Sequence, residues 1–240
     1  MKYILRSLLR STGYDIFRVK FQTHENCEYS TITPYASYSP WLNDTNFQSV
    51  YQIVKANTLV DVYRCYELWQ TVAQSQHVEG DILEVGVWRG GTGCLIAKQA
   101  PNKTVYLCDT FEGVVKAGEN DSGYTGGEHA DTSQNIVNKL ADTLNVKNIS
   151  ILKGIFPEET GHKIKSKKFS FCHIDVDTYQ SARDTFDWVW PKLSTGGIVI
   201  FDDYGFYNCA GVTKIVNEER GKPNRIVLHN LNGHGIIIKI

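Results

Sequence analysis

The sequence lacks an excess of charge of either sign and any long apolar run. Its 240 residues include 25 basic and 26 acidic side chains, for a formal charge of −1, whereas a general nucleic-acid binder usually has a strong basic excess. Apolar runs fall short of the length that crosses a bilayer. Basic residues also interrupt the apolar N-terminus, where a secretory signal has an unbroken core. We therefore expect neither a nucleic-acid partner nor an integral membrane segment.

The chain also has no C-x-x-C pair among its six cysteines. Cys94, Cys108 and Cys172 lie in or beside apolar segments, which is typical of buried free thiols. Free thiols persist in a reducing compartment. The cysteine pattern therefore favours a cytoplasmic protein.

Two nucleotide-binding motifs are missing as well. Gly91 and Gly93 supply the first two glycines of G-x-G-x-x-G, but the third position is Ile96. No Gly-Lys-Ser/Thr follows, so the phosphate-binding P-loop is absent from the sequence. These absences argue against a nicotinamide dehydrogenase and against a P-loop nucleotidase.

The N-terminal residues 1–48 have an irregular pattern, apart from a basic amphipathic helix in the first ten residues. Such a helix docks on the rest of the protein or on a partner subunit, or associates peripherally with a membrane surface. We interpret residues 1–48 as an extension for oligomerisation or substrate cover, and 49–240 as the main domain. A homo-oligomer is the expected assembly.

Residues 49–240 alternate between helical and strand-like periods. Helical spacing over 49–76 predicts one helix, or two that are interrupted near 57–58. Seven apolar strands then follow, the first five separated by helices or turns and the last two joined by a turn at Asn232-Gly233. This pattern predicts an α/β fold, a doubly wound and mostly parallel seven-stranded sheet that ends in a β-hairpin.

A glycine-rich turn should follow the first of these strands. Glu84 and Gly86 open it, and Asp109 ends the next strand. A carboxylate at that position can accept hydrogen bonds from ribose hydroxyls, and Glu84 would attract a cation. S-adenosylmethionine fits, because it combines a ribose with a sulfonium and an ammonium group.

Four acids end two later apolar runs: Asp175 and Asp177 end one, and Asp202 and Asp203 end the next. Neighbouring strands lie about 4.8 Å apart, so these side chains can converge. Grouped carboxylates repel one another unless a cation lies among them, and oxygen ligands suit Mg²⁺. A single acid at a strand end can instead cap the following helix, and Asp177 and Asp203 are candidates for that role.

The motifs "GDILEVGVWRGG", "DTFEG", "HIDVDTYQSARDTFDWVWPKLSTGG" and "IVIFDDYG" resemble those of the macrocin O-methyltransferase family. The resemblance covers residues 57–220 and implies a class I, Rossmann-like methyltransferase. Members methylate sugar hydroxyls with S-adenosylmethionine and magnesium. The resemblance implies the metal ligands Asp175, Asp202 and Asp203. Asp175 is the first candidate for the catalytic base, with Asp177 second.

The remaining site residues follow from these motifs and from the fold. Residues expected at the cofactor are Glu84, Gly86, Val87, Trp88, Arg89, Gly90, Asp109, Thr110, Phe111, Ile155, Phe156 and Asp175. Tyr124 and His129, in a glycine-rich segment over 112–132, are expected at a small-molecule or glycan substrate together with Tyr179 and Tyr204. The alternation of His173 with Phe169 and Phe171 predicts a hydrogen-bonded core histidine.

Two other functions remain open from the residues alone. A catechol-type O-methyltransferase uses the same metal chemistry on an aromatic acceptor. A protein that keeps the fold and binds a nucleoside without catalysis is the other alternative, although the four acids argue against it.

Overall fold

The computed structural model describes residues 2–16, 18–24, 27–33 and 35–240. It divides into two compact units, Met1–Ala36 and Ser37–Ile240. In the smaller unit, helix α1 (Lys2–Ser11) precedes an antiparallel pair of strands, β1 (Phe21–His24) and β2 (Cys27–Ser30). Residues 37–48, which the sequence grouped with the extension, lie in the larger unit.

Two helices open the larger unit, α2 (Thr45–Val54) and α3 (Val62–Ser75). Each begins at an aspartate whose carboxylate accepts main-chain N–H groups. Asp44 accepts from the N–H of Phe47, and Asp61 accepts from the N–H groups of the second and third helical residues. The predicted interruption is therefore confirmed, and the second capping aspartate defines where the chain resumes a helix.

The rest of the unit alternates strands and helices and then ends in a hairpin. The elements are β3 (Asp81–Val85), α4 (Gly91–Gln99), β4 (Val105–Asp109), α5 (Gln134–Thr143), β5 (Ile149–Lys153), β6 (Phe169–Ile174), α6 (Tyr179–Val189), β7 (Leu193–Phe201), α7 (Ala210–Glu218), β8 (Arg225–Asn230) and β9 (His234–Lys239). Short 3-10 helices lie at Pro40–Leu42, Gly161–Ile164, Trp190–Lys192 and Tyr207–Cys209.

The seven strands form one sheet in the order β5-β4-β3-β6-β7-β9-β8. The first five in this order run parallel, and β9 is antiparallel to both β7 and β8. The predicted sheet and its terminal hairpin are confirmed. The order reverses beside β3, and at such a switch point ligands bind at the carboxyl ends of the strands.

Helices cover both faces of the sheet, because strand residues alternate between two apolar cores. Ile82 packs into a core with residues of α2 to α5, whereas the next residue, Leu83, packs into a core with residues of α6 and α7. Both faces are thereby buried, as a parallel sheet requires. In the part of the chain that the structure describes, the ends of the strands are therefore the places on the sheet that remain open to a ligand.

All six cysteines are free thiols, and five of them are buried. This agrees with the interpretation of the cysteine spacing. Among the described residues, no helix has the length and the apolar character needed to cross a membrane.

Candidate active site

A tight turn follows β3 at the carboxyl edge of the sheet. Gly86 and Gly90 adopt φ angles of 88° and 84°, a region that glycine enters without steric cost. Gly90 is the N-cap of α4. Between them, the N–H groups of Val87 and Trp88 both point at Asp109, at 2.7 and 2.8 Å from its Oδ2.

Asp109 therefore organises the turn from the end of the neighbouring strand. Its other oxygen, Oδ1, accepts from the N–H of Phe111 at 2.6 Å. A carboxylate offers about four acceptor positions, and three main-chain donors occupy most of them. Room for about one ribose hydroxyl remains.

The four predicted acids converge at the adjacent ends of β6 and β7. Carboxylate oxygens of Asp175, Asp202 and Asp203 lie within 4.8 Å of one another, and Asp177 groups with Asp203 and Cys209 in the same way. Main-chain hydrogen bonds continue the sheet by one residue beyond the ends of β6 and β7. The N–H of Asp175 donates to Val85 O, and the N–H of Asp202 donates to Ile174 O. The first acid of each pair is thus fixed by the sheet itself.

The second acid of each pair has a left-handed backbone, with φ of 63° at Asp177 and 59° at Asp203. Non-glycine residues seldom adopt this conformation, and it is concentrated at functional sites. Neither residue caps a helix. The N-cap of α6 is Thr178, and the main-chain N–H of Tyr179 donates to Asp121 instead. The capping alternative for Asp177 and Asp203 is therefore wrong.

One cavity joins the turn and the acids. The predicted residues that line it are Gly86, Val87, Trp88, Asp109, Thr110, Tyr124, His129, Phe156, Asp175, Asp177, Asp202 and Asp203. Residues of the loop before α3, among them Asn57 and Leu59, complete the wall. The turn expected for a nucleoside and the acids expected for a metal thus face the same space.

Comparison with known proteins identifies the family. The model of the macrocin O-methyltransferase (TylF) family matches residues 44–230. The chain belongs to this family. It is accordingly an O-methyltransferase of the S-adenosylmethionine-dependent class, and the resemblance in the sequence is confirmed.

Two O-methyltransferases of known name are similar to this chain over about 70% of their length. A demethyldecarbamoylnovobiocin O-methyltransferase of Streptomyces niveus is 31% identical over 185 residues, which cover 70% of this chain and 69% of that one. A mycinamicin III 3''-O-methyltransferase of Micromonospora griseorubida is 27% identical over 190 residues, 72% of this chain and 74% of that one.

Solved structures agree on the fold. The structure of the O-methyltransferase NovP is 25% identical, with a TM-score of 0.64, and the match covers 76% of this chain and 82% of that one. The calicheamicin methyltransferase CalS11 is 16% identical, with a TM-score of 0.61, and the match covers 85% of this chain and 94% of that one. The class I, Rossmann-like methyltransferase fold predicted from the sequence is therefore confirmed.

Several predicted residues lie outside the cavity. Glu84 is completely buried, and its Oε1 lies 2.9 Å from Nδ1 of His173, so its carboxylate faces the core rather than a cationic ligand. This contact confirms His173 as a hydrogen-bonded core residue. Arg89 points at Asp131, with Nη2 2.6 Å from Oδ2. Gly90 shapes the start of α4.

Other predicted residues lie outside the cavity because their side chains contact neighbouring elements of the fold. The Tyr179 hydroxyl donates to Glu218 at 2.9 Å, and the Tyr204 hydroxyl donates to Asn217 at 2.8 Å, so both tyrosines contact α7 instead of the cavity. Phe111 packs in the core. Ile155 does not line the cavity, and its neighbour Phe156 is the one that does.

The acids differ in their protonation behaviour. Burial, and then the charges of Asp202 and Asp203, raise the pKa of Asp175 well above its ordinary range. Burial and the charge of Asp203 raise the pKa of Asp177 to about 8. Burial acts to raise the pKa of Asp202 too, but a hydrogen bond from His234 and the charge of Arg64 lower it. Asp202 is thus the firmly ionised acid of the cluster, whereas Asp175 and Asp177 are its more basic neighbours.

Two basic side chains that no sequence pattern predicts contact these acids. Arg64 of α3 places Nη1 2.6 Å from Asp202 Oδ1 and 2.9 Å from Asp203 Oδ1. His234 of β9 places Nε2 3.1 Å from Asp202 Oδ1. Burial opposes the charge on His234, yet its bonds to Asp202 and Glu67 raise its pKa to about 9. Both cations are far from the acids in sequence, and no local motif signals them.

Proposed function

We propose that this chain transfers the methyl group of S-adenosylmethionine to a hydroxyl of a sugar, with a magnesium ion held by Asp175, Asp202 and Asp203. One observation carries the proposal: these three carboxylates converge within 4.8 Å in the cavity that the glycine-rich turn also lines. A methyl donor on the turn and an acceptor oxygen at the acids would then be neighbours.

The donor set fits magnesium in chemistry and in charge. All three side chains offer carboxylate oxygens, which a hard cation prefers. Four acids meet here, and the two cations that contact them, Arg64 and His234, each also pair with an acid outside the cluster, Asp61 and Glu67. The cluster therefore keeps an excess of negative charge that a divalent cation would reduce. Burial first, and then repulsion among these carboxylates, raises the pKa of Asp175 and the pKa of Asp177.

The chain's own residues supply the binding and the proton transfer. Bound at the acids, magnesium would contribute positive charge that lowers the pKa of a nearby hydroxyl. Asp175 and Asp177 are the candidates to accept its proton. Burial and the charge of Asp203 raise the pKa of Asp177 above its ordinary value, which makes its carboxylate a stronger proton acceptor once it is ionised, and the Tyr124 side chain interacts with the same carboxylate.

The turn is the proposed cofactor site. Asp109 keeps about one acceptor position for a ribose hydroxyl, and Phe156 offers an apolar surface to adenine within the same cavity. The positive end of α4 and its glycine N-cap border the turn. These features support cofactor binding by Gly86, Val87, Trp88, Asp109, Thr110 and Phe156.

A sugar acceptor is supported by relatives whose names specify such reactions. One methylates position 3'' of mycinamicin III, and another methylates the 4' position of a rhamnosyl-tetracenomycin in Streptomyces olivaceus, with 27% identity. In this chain, Tyr124 and His129 of the segment 112–132 line the cavity and can donate to or accept from sugar hydroxyls.

A panel of acceptors tests the function directly. The purified chain with S-adenosylmethionine and Mg²⁺ should methylate a glycoside, and Asp203→Asn should lose this transfer. Asp142→Asn, the same change at an exposed position of α5, should retain it. Methylation of catechols alone, with every glycoside unchanged, would reject the sugar hydroxyl as acceptor.

A homo-oligomer and a cytoplasmic location remain predictions. The smaller unit supports the first, since Leu5, Leu8, Tyr14, Ile16 and Phe21 are exposed there. Apolar side chains of this size on one small unit are consistent with contact to a second surface, either a subunit or a membrane. Sedimentation of the full chain and of a chain that begins at residue 37 would distinguish subunit assembly from a monomer.

A further inference from the structure

Two fully buried histidines lie beneath the acid cluster, His173 on β6 and His234 at the start of β9. Their ring centroids are 6.3 Å apart. Each Nδ1 atom faces a carboxylate: that of His173 lies 2.9 Å from Glu84, and that of His234 lies 2.5 Å from Glu67 of α3. Neither histidine lines the cavity.

His234 differs from His173 because both of its nitrogens face carboxylates. Nε2 lies 3.1 Å from Oδ1 of Asp202, on the side opposite to Glu67. Nδ1 is within hydrogen-bonding distance of Glu67, whereas Nε2 approaches Asp202 closely without meeting the angular requirement of a hydrogen bond. The ring of His234 is therefore held between two carboxylates in the series Glu67–His234–Asp202.

This series connects three secondary-structure elements at one atom, Oδ1 of Asp202. Glu67 belongs to α3, His234 belongs to β9, and Asp202 directly follows β7, the strand that pairs with β9. Arg64 Nη1 contacts the same Oδ1 at 2.6 Å. The hydrogen bond from Arg64 and the close approach of the His234 ring to the same oxygen together restrict rotation of the carboxylate about its Cβ–Cγ bond. The position of the other oxygen is then fixed relative to Asp175 and Asp203.

We propose that His234, held by Glu67, is a positioning residue that fixes the Asp202 carboxylate in the orientation that binds the metal ion. The proposal rests on the proposed function, because Asp202 is one of the ligands proposed there. A buried partner that orients a metal ligand typically contributes about 10- to 100-fold to metal affinity. His234 acts through Asp202 and touches neither the substrate nor the cofactor site.

Calorimetric titration of the full chain with Mg²⁺ and, separately, with S-adenosylmethionine tests this role. In His234→Gln the Kd for Mg²⁺ should rise about 10-fold or more, while the Kd for S-adenosylmethionine stays at the wild-type value. Glu67→Gln keeps an acceptor oxygen for Nδ1–H but removes the charge, so its Kd for Mg²⁺ should rise less. Transfer assays on His234→Gln should show a raised KM for Mg²⁺ and a kcat that recovers at saturating Mg²⁺.

His229→Gln is the matched control, since it makes the same change on β8 of the same hairpin. The His229 ring packs on Tyr204, 4.5 Å between centroids, and is exposed. This variant should bind Mg²⁺ like the wild type. If His234→Gln does not fold, Glu67→Gln carries the test, because the Glu67 side chain is 25% exposed.

Folded variants at Glu67 and His234 with wild-type affinity for Mg²⁺ would overturn the positioning role and leave the proposed function intact. The positioning role would also be overturned if the wild type bound one zinc ion per chain and His234→Gln lost that ion. The imidazoles would then themselves be metal ligands. A wild-type chain that binds no Mg²⁺ would reject the proposed metal site, and the positioning role with it.

Discussion

A Cβ atom on Gly86 would lie 1.7 Å from the main-chain oxygen of Asp175. The turn proposed for the cofactor and the strand end that carries the acids are therefore in direct main-chain contact. Only a hydrogen atom fits between them. The distance between the proposed cofactor site and the proposed metal ligands is thus set by the absence of a side chain at one position.

Gly86→Ala should abolish methyl transfer and weaken S-adenosylmethionine binding strongly. The added methyl group must displace β6 or the turn, and a φ of 88° disfavours alanine in addition. Gly221→Ala is the control, since Gly221 has a φ of 74° but open space around its Cβ position. Calorimetric titration with the cofactor compares the two. Equal affinities in both variants would contradict the tight contact at Gly86.

Asp121 joins the segment 112–132 to the start of α6. Its Oδ1 accepts from the N–H of Tyr179 at 2.8 Å, and its Oδ2 accepts from the N–H of Gly118 at 2.9 Å. Asp121→Ala removes both bonds and should destabilise the chain by about 1 kcal/mol, as for a lost N-cap. The segment should also open more often, so that trypsin cleaves after Lys116 faster than in the wild type.

Asp142→Ala is the comparison for Asp121→Ala, because Asp142 lies on the exposed face of α5 with a side chain that is 76% exposed. Digests of both variants, read by mass spectrometry, locate the cleavage. If the bond after Lys116 is cut equally fast in wild type and Asp121→Ala, the contacts of Asp121 do not hold the segment closed.

Glu219 is a buried acid that ties α7 to α6 and β8. It contacts Arg183 at 2.8 Å and Lys222 at 2.7 Å, and it also pairs with Arg225. Burial acts to raise the pKa of Glu219, but the hydrogen bonds of Lys222 and Arg183 outweigh it and lower the pKa below the ordinary value of 4.5. A lowered pKa stabilises the fold above the unfolded value, and this contribution is lost as pH falls through the folded value.

Glu219→Gln should therefore reduce the free energy of unfolding at pH 7 by about 2 kcal/mol, the scale of a hydrogen bond to a charged group. The difference from the wild type should shrink as the pH falls below 4.5. Urea denaturation at several pH values measures it, with Glu79→Gln as control because the Glu79 side chain is 75% exposed and does not contact Arg183. A difference that stays constant down to pH 3 would show that the ionised form of Glu219 is not what stabilises the fold.

The sequence predicted what depends on local patterns. The sequence correctly placed His173 in the core, but a register shift in β6 puts Phe169 and Phe171 into opposite cores, so the predicted alternation fails at Phe169. The convergence of the acids at two strand ends was predictable because parallel strands end at one edge. The directions of individual side chains were harder to predict. Tyr179 and Tyr204 follow the acids in sequence, yet α7 offers them acceptors on the other side.

The long-range partners of Asp202 could not be predicted from the sequence, for a physical reason. Arg64 and His234 contact Asp202 across separations of 138 and 32 residues, and these contacts arise only when α3 and β9 pack beside β7. An arginine near the start of a helix predicts nothing about a distant carboxylate. The two-stranded pair in the smaller unit was also missed, since strands of four residues leave little periodicity.

Dependence of methyl transfer on a divalent cation tests the central claim most directly. Metal-stripped wild-type chain should transfer no methyl group from S-adenosylmethionine to its glycoside acceptor, and added Mg²⁺ should restore the transfer. Asp202→Asn should remain inactive at every Mg²⁺ concentration while it still binds S-adenosylmethionine. Undiminished transfer by the wild type in the presence of excess chelator would contradict the account.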